Sequence, residues 1–351
     1  MKTRRLALTL GALLATPLLL TACGTTSSDS DSGGEDTAAA EPVSADCAED
    51  TTETSTDPVS LTDAYGRKVE LDQPAQSVAV LEWQQTEDLL SLCVTPVAVA
   101  DTEGFGVWDT AEELPSEGVT DVGTRGEPNL EKLFGTNPDL VIVEAYTAED
   151  EIIKQLEKYD VPVLATKGAD AKDPVGQMKD TFNLIAEATG RQDQAEAVLA
   201  EFDQTLADGK EALADTELPT TDFIFYDGWV QGGNVSIRPF GQGSLIGELG
   251  EELGMTNAWT GEVDPAYGLG QTDIEGMTEL GDATFFHTGT TDPAGDINAE
   301  LEKNAAWQKI PAVAEGRDYA FPAGIWTFGG PRSSEQVVDA YVDLLTGDAA
   351  Q

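Results

Sequence analysis

Histidine occurs once in this chain of 351 residues, at position 287, and cysteine three times. A single imidazole leaves out the arrangements that need company: an acid–base relay requires an orienting partner and a nucleophile, and a metal centre requires further ligands. His287 ends an apolar run, Phe285-Phe286-His287, where a histidine reads as structural or ligand-facing. The glycine signals fail as well. Gly243-Ser244-Leu245-Ile246-Gly247 brings its second Gly one residue late for a nucleophile elbow. Gly268-Leu269-Gly270 has Asp273 where a dinucleotide fingerprint needs a third Gly. Asp29-Ser30-Asp31 lies in low-complexity sequence without the Glu that closes a calcium loop. No constellation for an enzyme, a metal or a cofactor is present in the sequence. Positive charge is scarce too: 19 Lys and Arg face 65 Asp and Glu, a net charge of −46. That field argues against nucleic acid and against docking on anionic lipid, and it disfavours polyanionic ligands generally. A solubility or salt-tolerance trait accounts for most of it.

Long apolar runs are missing apart from Leu6 to Leu20, which Thr9, Gly11, Thr16 and Pro17 interrupt. Lys2, Arg4 and Arg5 precede it and Leu20-Thr21-Ala22-Cys23 closes it, the layout of a cleaved leader rather than of a membrane span. Leu-x-Ala-Cys resembles the lipobox of bacterial lipoproteins, in which the Cys becomes the lipidated first residue. Residues 1–22 are therefore expected to be a lipoprotein signal peptide and Cys23 the anchor. Residues 23–57, rich in Ser, Thr, Asp, Glu, Ala and Gly, cannot bury a core and read as a disordered acidic tether. With Cys23 assigned to lipid, Cys47 and Cys93 remain as an even pair in an oxidising compartment. A bridge stapling the tail to the folded part is the favoured reading, with two free thiols as the alternative.

Beyond residue 57 the chain alternates strand and helix signals. Val59 to Leu71 alternates apolar and polar about a Tyr65-Gly66 turn, a hairpin signal. Ser77 to Leu81, Pro96 to Ala100, Leu140 to Val143 and Val161 to Ala165 are short apolar runs separated by helical stretches, Thr86 to Leu92 and Ile152 to Tyr159 among them; this predicts a parallel α/β lobe over residues 58–172. Val175, Met178, Phe182 and Ile185 mark a helix that Gly190 ends. From Gln194 to Leu213 apolar positions keep helical spacing for ~30 Å, so residues 173–214 form a stiff helical connector. A second α/β lobe, 215–351, restarts at Phe223-Ile224-Phe225-Tyr226 and ends in a helix from Ser334 to Leu345. The expected class is α/β, two Rossmann-like lobes joined by a single long α-helix.

Trp108, Tyr146, Trp229, Tyr267, Trp326 and Phe328 fall in Gly-, Asp- and Thr-rich stretches after strands or turns. Each alone reads as packing, but together they suit a pocket with apolar walls and one or two fixed donors. Arg125, in Gly123-Thr124-Arg125-Gly126-Glu127-Pro128-Asn129-Leu130-Glu131, is the cation placed to be such a donor.

These residues carry a resemblance. Asp63-Ala64-Tyr65-Gly66-Arg67-Lys68-Val69, the run around Arg125 through Val143, Asn257-Ala258-Trp259-Thr260-Gly261-Glu262, and the stretch from Ala305 through Pro331 occur in an order that resembles the substrate-binding lipoproteins of ABC importers for iron-siderophores and cobalamin, above all the ferric-hydroxamate type. The resemblance implies the class III periplasmic-binding-protein fold. It implies a monomeric receptor without enzymatic activity, held outside the cell membrane by lipid on Cys23, which gives a ferric siderophore to an ABC permease and its ATPase subunits. By position the family's hydroxamate-binding Arg falls on Arg125, its loop Trp on Trp108 and its strand-closing Tyr on Tyr146. Tyr267 stands where the close relative has Trp. The family's Trp-x-Tyr-Gly becomes Trp326-Thr327-Phe328-Gly329, one phenolic hydroxyl fewer. Trp229 and Arg238 join the candidates without a family counterpart. Glu131 and Glu275 match the carboxylates that meet permease arginines. A catecholate siderophore, cobalamin or haem is the alternative ligand, and a surface enzyme or adhesin the remote alternative function.

Overall fold

The structure is a computed structural model whose described residues are Cys47, 50–232, 234–290 and 296–347. The leader, Cys23 and the tether as far as residue 46 lie outside them. Among the described residues no helix is long and apolar enough to cross a membrane.

Strands β1 (Val59–Thr62) and β2 (Lys68–Leu71) pair antiparallel into a hairpin. Val59, Leu61 and Val69 point into the core while Ser60, Lys68 and Glu70 face out, the two-residue period of a half-buried sheet. Next come β3 (Val78–Val80), α1 (Trp83–Ser91), β4 (Ala98–Val99), α2 (Thr102–Trp108), β5 (Thr120–Asp121), α3 (Leu130–Gly135), β6 (Leu140–Glu144), α4 (Glu151–Leu156) and β7 (Val163–Thr166). Their five strands form one parallel sheet in the order β5-β4-β3-β6-β7. Helices cover both faces, which explains why its central strands are apolar runs rather than alternating ones. The order reverses between β3 and β6, and a crevice at the strands' carboxyl ends results from that topology.

Helix α5 (Pro174–Thr189) starts on the Asp173 side chain and ends at Gly190, whose φ of 72° is the left-handed turn that lets α6 (Gln192–Ala214) fold back along it. The two run antiparallel: Lys179 meets Asp203 at 2.5 Å. Phe182 and Ile185 of α5 with Ala195 and Val198 of α6 belong to the first lobe's core, whereas Met178, Phe202 and Leu213 belong to the second's. The long helix α6 thus carries the chain between lobes, and α5 doubles it.

The second lobe contains β8 (Asp222–Gln231), β9 (Asn234–Phe240), α7 (Leu245–Glu252), β10 (Thr256–Asn257), α8 (Ile274–Met277), β11 (Thr284–Gly289), α9 (Asn298–Leu301), α10 (Pro311–Ala314), β12 (Asp318–Ala323) and α11 (Pro331–Thr346). Strands β10, β8, β11 and β12 are parallel neighbours, and β9 returns antiparallel along β8. Phe223 and Phe225 pack towards α6, α7 and α11, while Ile224 and Tyr226 pack with Trp307 and Ile310 on the opposite face.

A second tie joins the lobes. Helix α11 has no side-chain cap of its own; the Glu87 carboxylate of α1 accepts from Gly330 N and Ser333 N at 2.8 Å each and from Ser333 Oγ at 2.7 Å. This satisfies orphan donors and sets a carboxylate at the positive end of the helix. The early chain is tied as well. Cys47 and Cys93 form a disulfide with Cα atoms 5.5 Å apart. Arg191 pairs with Asp50 and donates to Leu92 O at 2.9 Å and Thr54 Oγ1 at 3.0 Å, and Ser55 N donates to Gly190 O. Within the expected tether, Asp50, Thr54 and Ser55 are thus held against the turn between α5 and α6, where Arg191 supplies most of the partners.

Candidate ligand-binding site

A cavity of about 900 Å³ lies between the lobes, lined from the first by Glu82, Asp101, Trp108, Arg125, Glu144, Tyr146 and Asp150 and from the second by Asp227, Arg238, Tyr267, Thr288, Trp326 and Phe328, among others. The volume is at the upper end of the range for small-molecule sites. Most of these side chains stand where strands end. Glu82 comes just after β3, Asp101 just after β4, Arg125 lies in the loop after β5, and Glu144 closes β6, so the topological crevice of the first sheet is the cavity's floor on that side.

Glu82 performs two tasks. Its Oε1 accepts from Trp83 N at 2.9 Å, which starts α1 three residues ahead of Thr86, and it also pairs with Arg125 Nη1. The Arg125 guanidinium lies over the Trp83 ring, 3.7 Å from its centroid, with the Trp326 ring centroid at 5.4 Å. Trp83 and Trp326 themselves meet edge to face at 4.9 Å. The cation is thus held in place by one carboxylate and two indoles, with Nη2 and Nε left as donors among the described residues. Its partner is Glu82, not the nearby Glu127 or Glu131.

Arg238, on β9, is fixed in the same manner. Its Nε and Nη2 grip both oxygens of Asp227, the first at 2.7 Å, and it faces the Phe240 and Phe328 rings at 5.4 and 5.6 Å. Burial pushes the Asp227 carboxyl up from its ordinary value, and the guanidinium opposes this.

Tyr267 crosses from the second lobe to donate its hydroxyl to Glu144 Oε1 at 2.7 Å. Gly168 makes room for the bond, since a Cβ there would strike both partners. Burial, with Glu82 as a second negative charge, pushes Glu144 up to about 7, against the Tyr267 hydrogen bond and Arg125. Tyr146 meets the Tyr267 ring edge-on at 6.4 Å and Phe328 meets it at 5.7 Å.

The structure thus brings Arg125, Trp108, Tyr146, Tyr267, Trp326, Phe328 and Arg238 to one cavity. Two expectations change. Trp108 is the last residue of α2 rather than a loop residue, because Asp101 caps that helix through Gly104 N. Trp229 does not line the cavity: β8 runs on as a hairpin arm, placing it ~7 Å along the strand beyond Asp227, paired with Ser236 and 44% exposed. Glu131 and Glu275 are exposed first-turn residues of α3 and α8, which Asn129 and Asp273 cap. His287 lies outside the cavity lining, its Nδ1 2.9 Å from Asn298 Nδ2. The carboxylates were missed in the sequence although a signal existed: Glu82, Glu144 and Asp227 each come directly after an apolar run, Val78-Ala79-Val80-Leu81, Leu140-Val141-Ile142-Val143 and Phe223-Ile224-Phe225-Tyr226.

Residues 78–323 match the family model described as periplasmic binding protein. The chain belongs to that family. Among curated relatives of this binding protein, the iron(3+)-hydroxamate-binding protein FhuD of Escherichia coli K12 is 29% identical over 279 residues, covering 78% of this chain and 88% of that one. The putative ABC transporter substrate-binding lipoprotein YhfQ of Bacillus subtilis 168 is 27% identical over 305 residues, covering 82% and 87%. A solved structure of the Fe3+-Desferal-bound siderophore binding protein FhuD of Vibrio cholerae superposes with a TM-score of 0.64 at 24% identity over 77% of this chain and 97% of that one, a likeness of fold.

Proposed function

We propose that this binding protein is a lipid-anchored, extracytoplasmic receptor that captures a ferric siderophore of the hydroxamate type and delivers it to an ABC permease with its ATPase subunits. The observation that carries the reading is the pair of fixed guanidiniums, Arg125 and Arg238, aimed into an interlobe cavity with aromatic walls. Iron in such a ligand is already enclosed by its chelator, so the protein's task is to donate hydrogen bonds to hydroxamate oxygens and to cover the organic backbone. Arg125 and Arg238 donate, while Trp108, Tyr146, Tyr267, Trp326 and Phe328 form the walls. The E. coli relative named for iron(3+)-hydroxamate binding supports the ligand class, and the B. subtilis lipoprotein supports the anchor at Cys23. Glu131 and Glu275, exposed on different lobes, are the contacts for permease arginines. The α5–α6 pair and the Glu87 cap on α11 favour a modest closure over a wide hinge, because helices resist the backbone changes that a loop hinge absorbs. The test is a titration of tryptophan fluorescence with ferric siderophores. Saturable quenching by ferric trihydroxamates is expected; quenching by cobalamin, haem or ferric catecholates alone would reject the ligand class.

A further inference from the structure

Siderophore capture by itself leaves the cavity's charge unexplained. The described lining holds five carboxylates, Glu82, Asp101, Glu144, Asp150 and Asp227, against two guanidiniums and no lysine or histidine. Each guanidinium is already ion-paired, Arg125 with Glu82 and Arg238 with Asp227. A polyanionic ligand drawing on either cation would either strip it from its carboxylate or bring a second negative charge against a guanidinium whose charge that carboxylate already balances. A ligand without negative charge meets no such conflict. The pairs keep Nη2 and Nε of Arg125, and Nη1 of Arg238, as donors, and a neutral complex accepts hydrogen bonds from them without disturbing the pairing. Beyond the pairs three carboxylates remain, Asp101, Asp150 and Glu144, the last pushed up to about 7, and they leave negative charge over on a protein whose net charge is −46.

We infer that the cleft selects its ligand by charge, admitting ferric complexes of net charge zero or plus one and rejecting anionic ones, with Glu82 and Asp227 as the specificity-determining residues. This rests on the siderophore reading and narrows it: a ferric trihydroxamate is neutral because three hydroxamates balance the metal, and a pendant ammonium makes it a monocation. The ferric tris-catecholate, a trianion, is the ligand this cleft repels most.

Three ferric complexes with one iron centre test it: desferrioxamine B with its free terminal ammonium, the same molecule acetylated there, and the same molecule succinylated there, of charge plus one, zero and minus one. Titrated at low ionic strength, the first two should bind and the succinylated complex should bind about tenfold or more weakly, a gap that narrows as salt is added. Asp227→Asn and, as a second variant, Glu82→Gln should each shrink the gap between the acetylated and succinylated complexes. Equal affinity for all three would overturn charge selection while leaving siderophore capture standing, and so would tighter binding of a ferric tris-catecholate. Failure of all three to bind would remove both.

Discussion

Replacing Arg125 by Ala separates a ligand donor from a local counter-ion. The guanidinium is paired to Glu82 with side-chain exposures of 30% and 18%, partly shielded from water yet not sealed. It also lies on Trp83 at 3.7 Å, which fixes the plane of the donors left over. A charge-assisted hydrogen bond in such a setting contributes about 1.5–3 kcal/mol, so Arg125→Ala should weaken ferric-trihydroxamate binding by about tenfold to a hundredfold. Arg125→Lys should recover only part, since an ammonium cannot reproduce the planar fork. A loss of affinity could also arise from Glu82 left without its partner. The Glu82→Gln background separates the two: if Arg125 donates to the ligand, its removal there still costs about tenfold. Fluorescence titration reads the affinities and thermal melting checks that the variants fold. Unchanged affinity in Arg125→Ala, or a loss that disappears in the Glu82→Gln background, would refute the donor role.

Other parts of the fold carry three more tests. Asp88 is buried with neither carboxyl oxygen hydrogen-bonded among the described residues, and burial together with Glu87 pushes its pKa well above the ordinary value. A raised folded pKa stabilises below the unfolded value near 3.8 and is lost as pH rises, so Asp88→Asn should melt higher than the wild type at pH 8 and show a flatter melting curve against pH; parallel curves would contradict this. The disulfide closes a sequence separation of 46; replacing Cys47 and Cys93 by Ser should cost about 2–4 kcal/mol in denaturant titrations, and an unchanged midpoint would show that Asp50 and Arg191 hold the segment unaided. Glu131→Ala with Glu275→Ala should abolish siderophore-dependent iron uptake in cells while binding is retained, and normal uptake would make them ordinary surface carboxylates.

Much of the fold could be read in the sequence because it is written locally. Leu140-Val141-Ile142-Val143 is buried on both faces and becomes β6, and Met178, Phe182 and Ile185 keep helical spacing within α5. The Glu87 cap could not be read, since Gly330, the N-cap of the helix it completes, lies 243 residues later and a carboxylate inside a helix has no local mark of that duty. In the second lobe the apolar run ends at Tyr226, and that run carries no mark of β9 or of the pairing of Arg238 with Asp227. Aromatics were informative in the site because only 7% of the residues are Phe, Trp or Tyr. Trp229 shows the limit, since two residues along a strand decide between cavity and solvent. Glu82, Glu144 and Asp227 each follow an apolar run, but among 65 acidic residues nothing local marks them as neighbours; the strand order of the first sheet brings Glu82 and Glu144 together, and the cavity between the lobes adds Asp227.

Equilibrium dialysis of the full chain against a ferric trihydroxamate labelled with radioactive iron tests the central claim most directly. The account predicts that label accumulates with the protein to one equivalent, that excess unlabelled complex displaces it, and that Arg125→Ala reduces the retention. Equal label on both sides of the membrane at protein concentrations well above micromolar would contradict it.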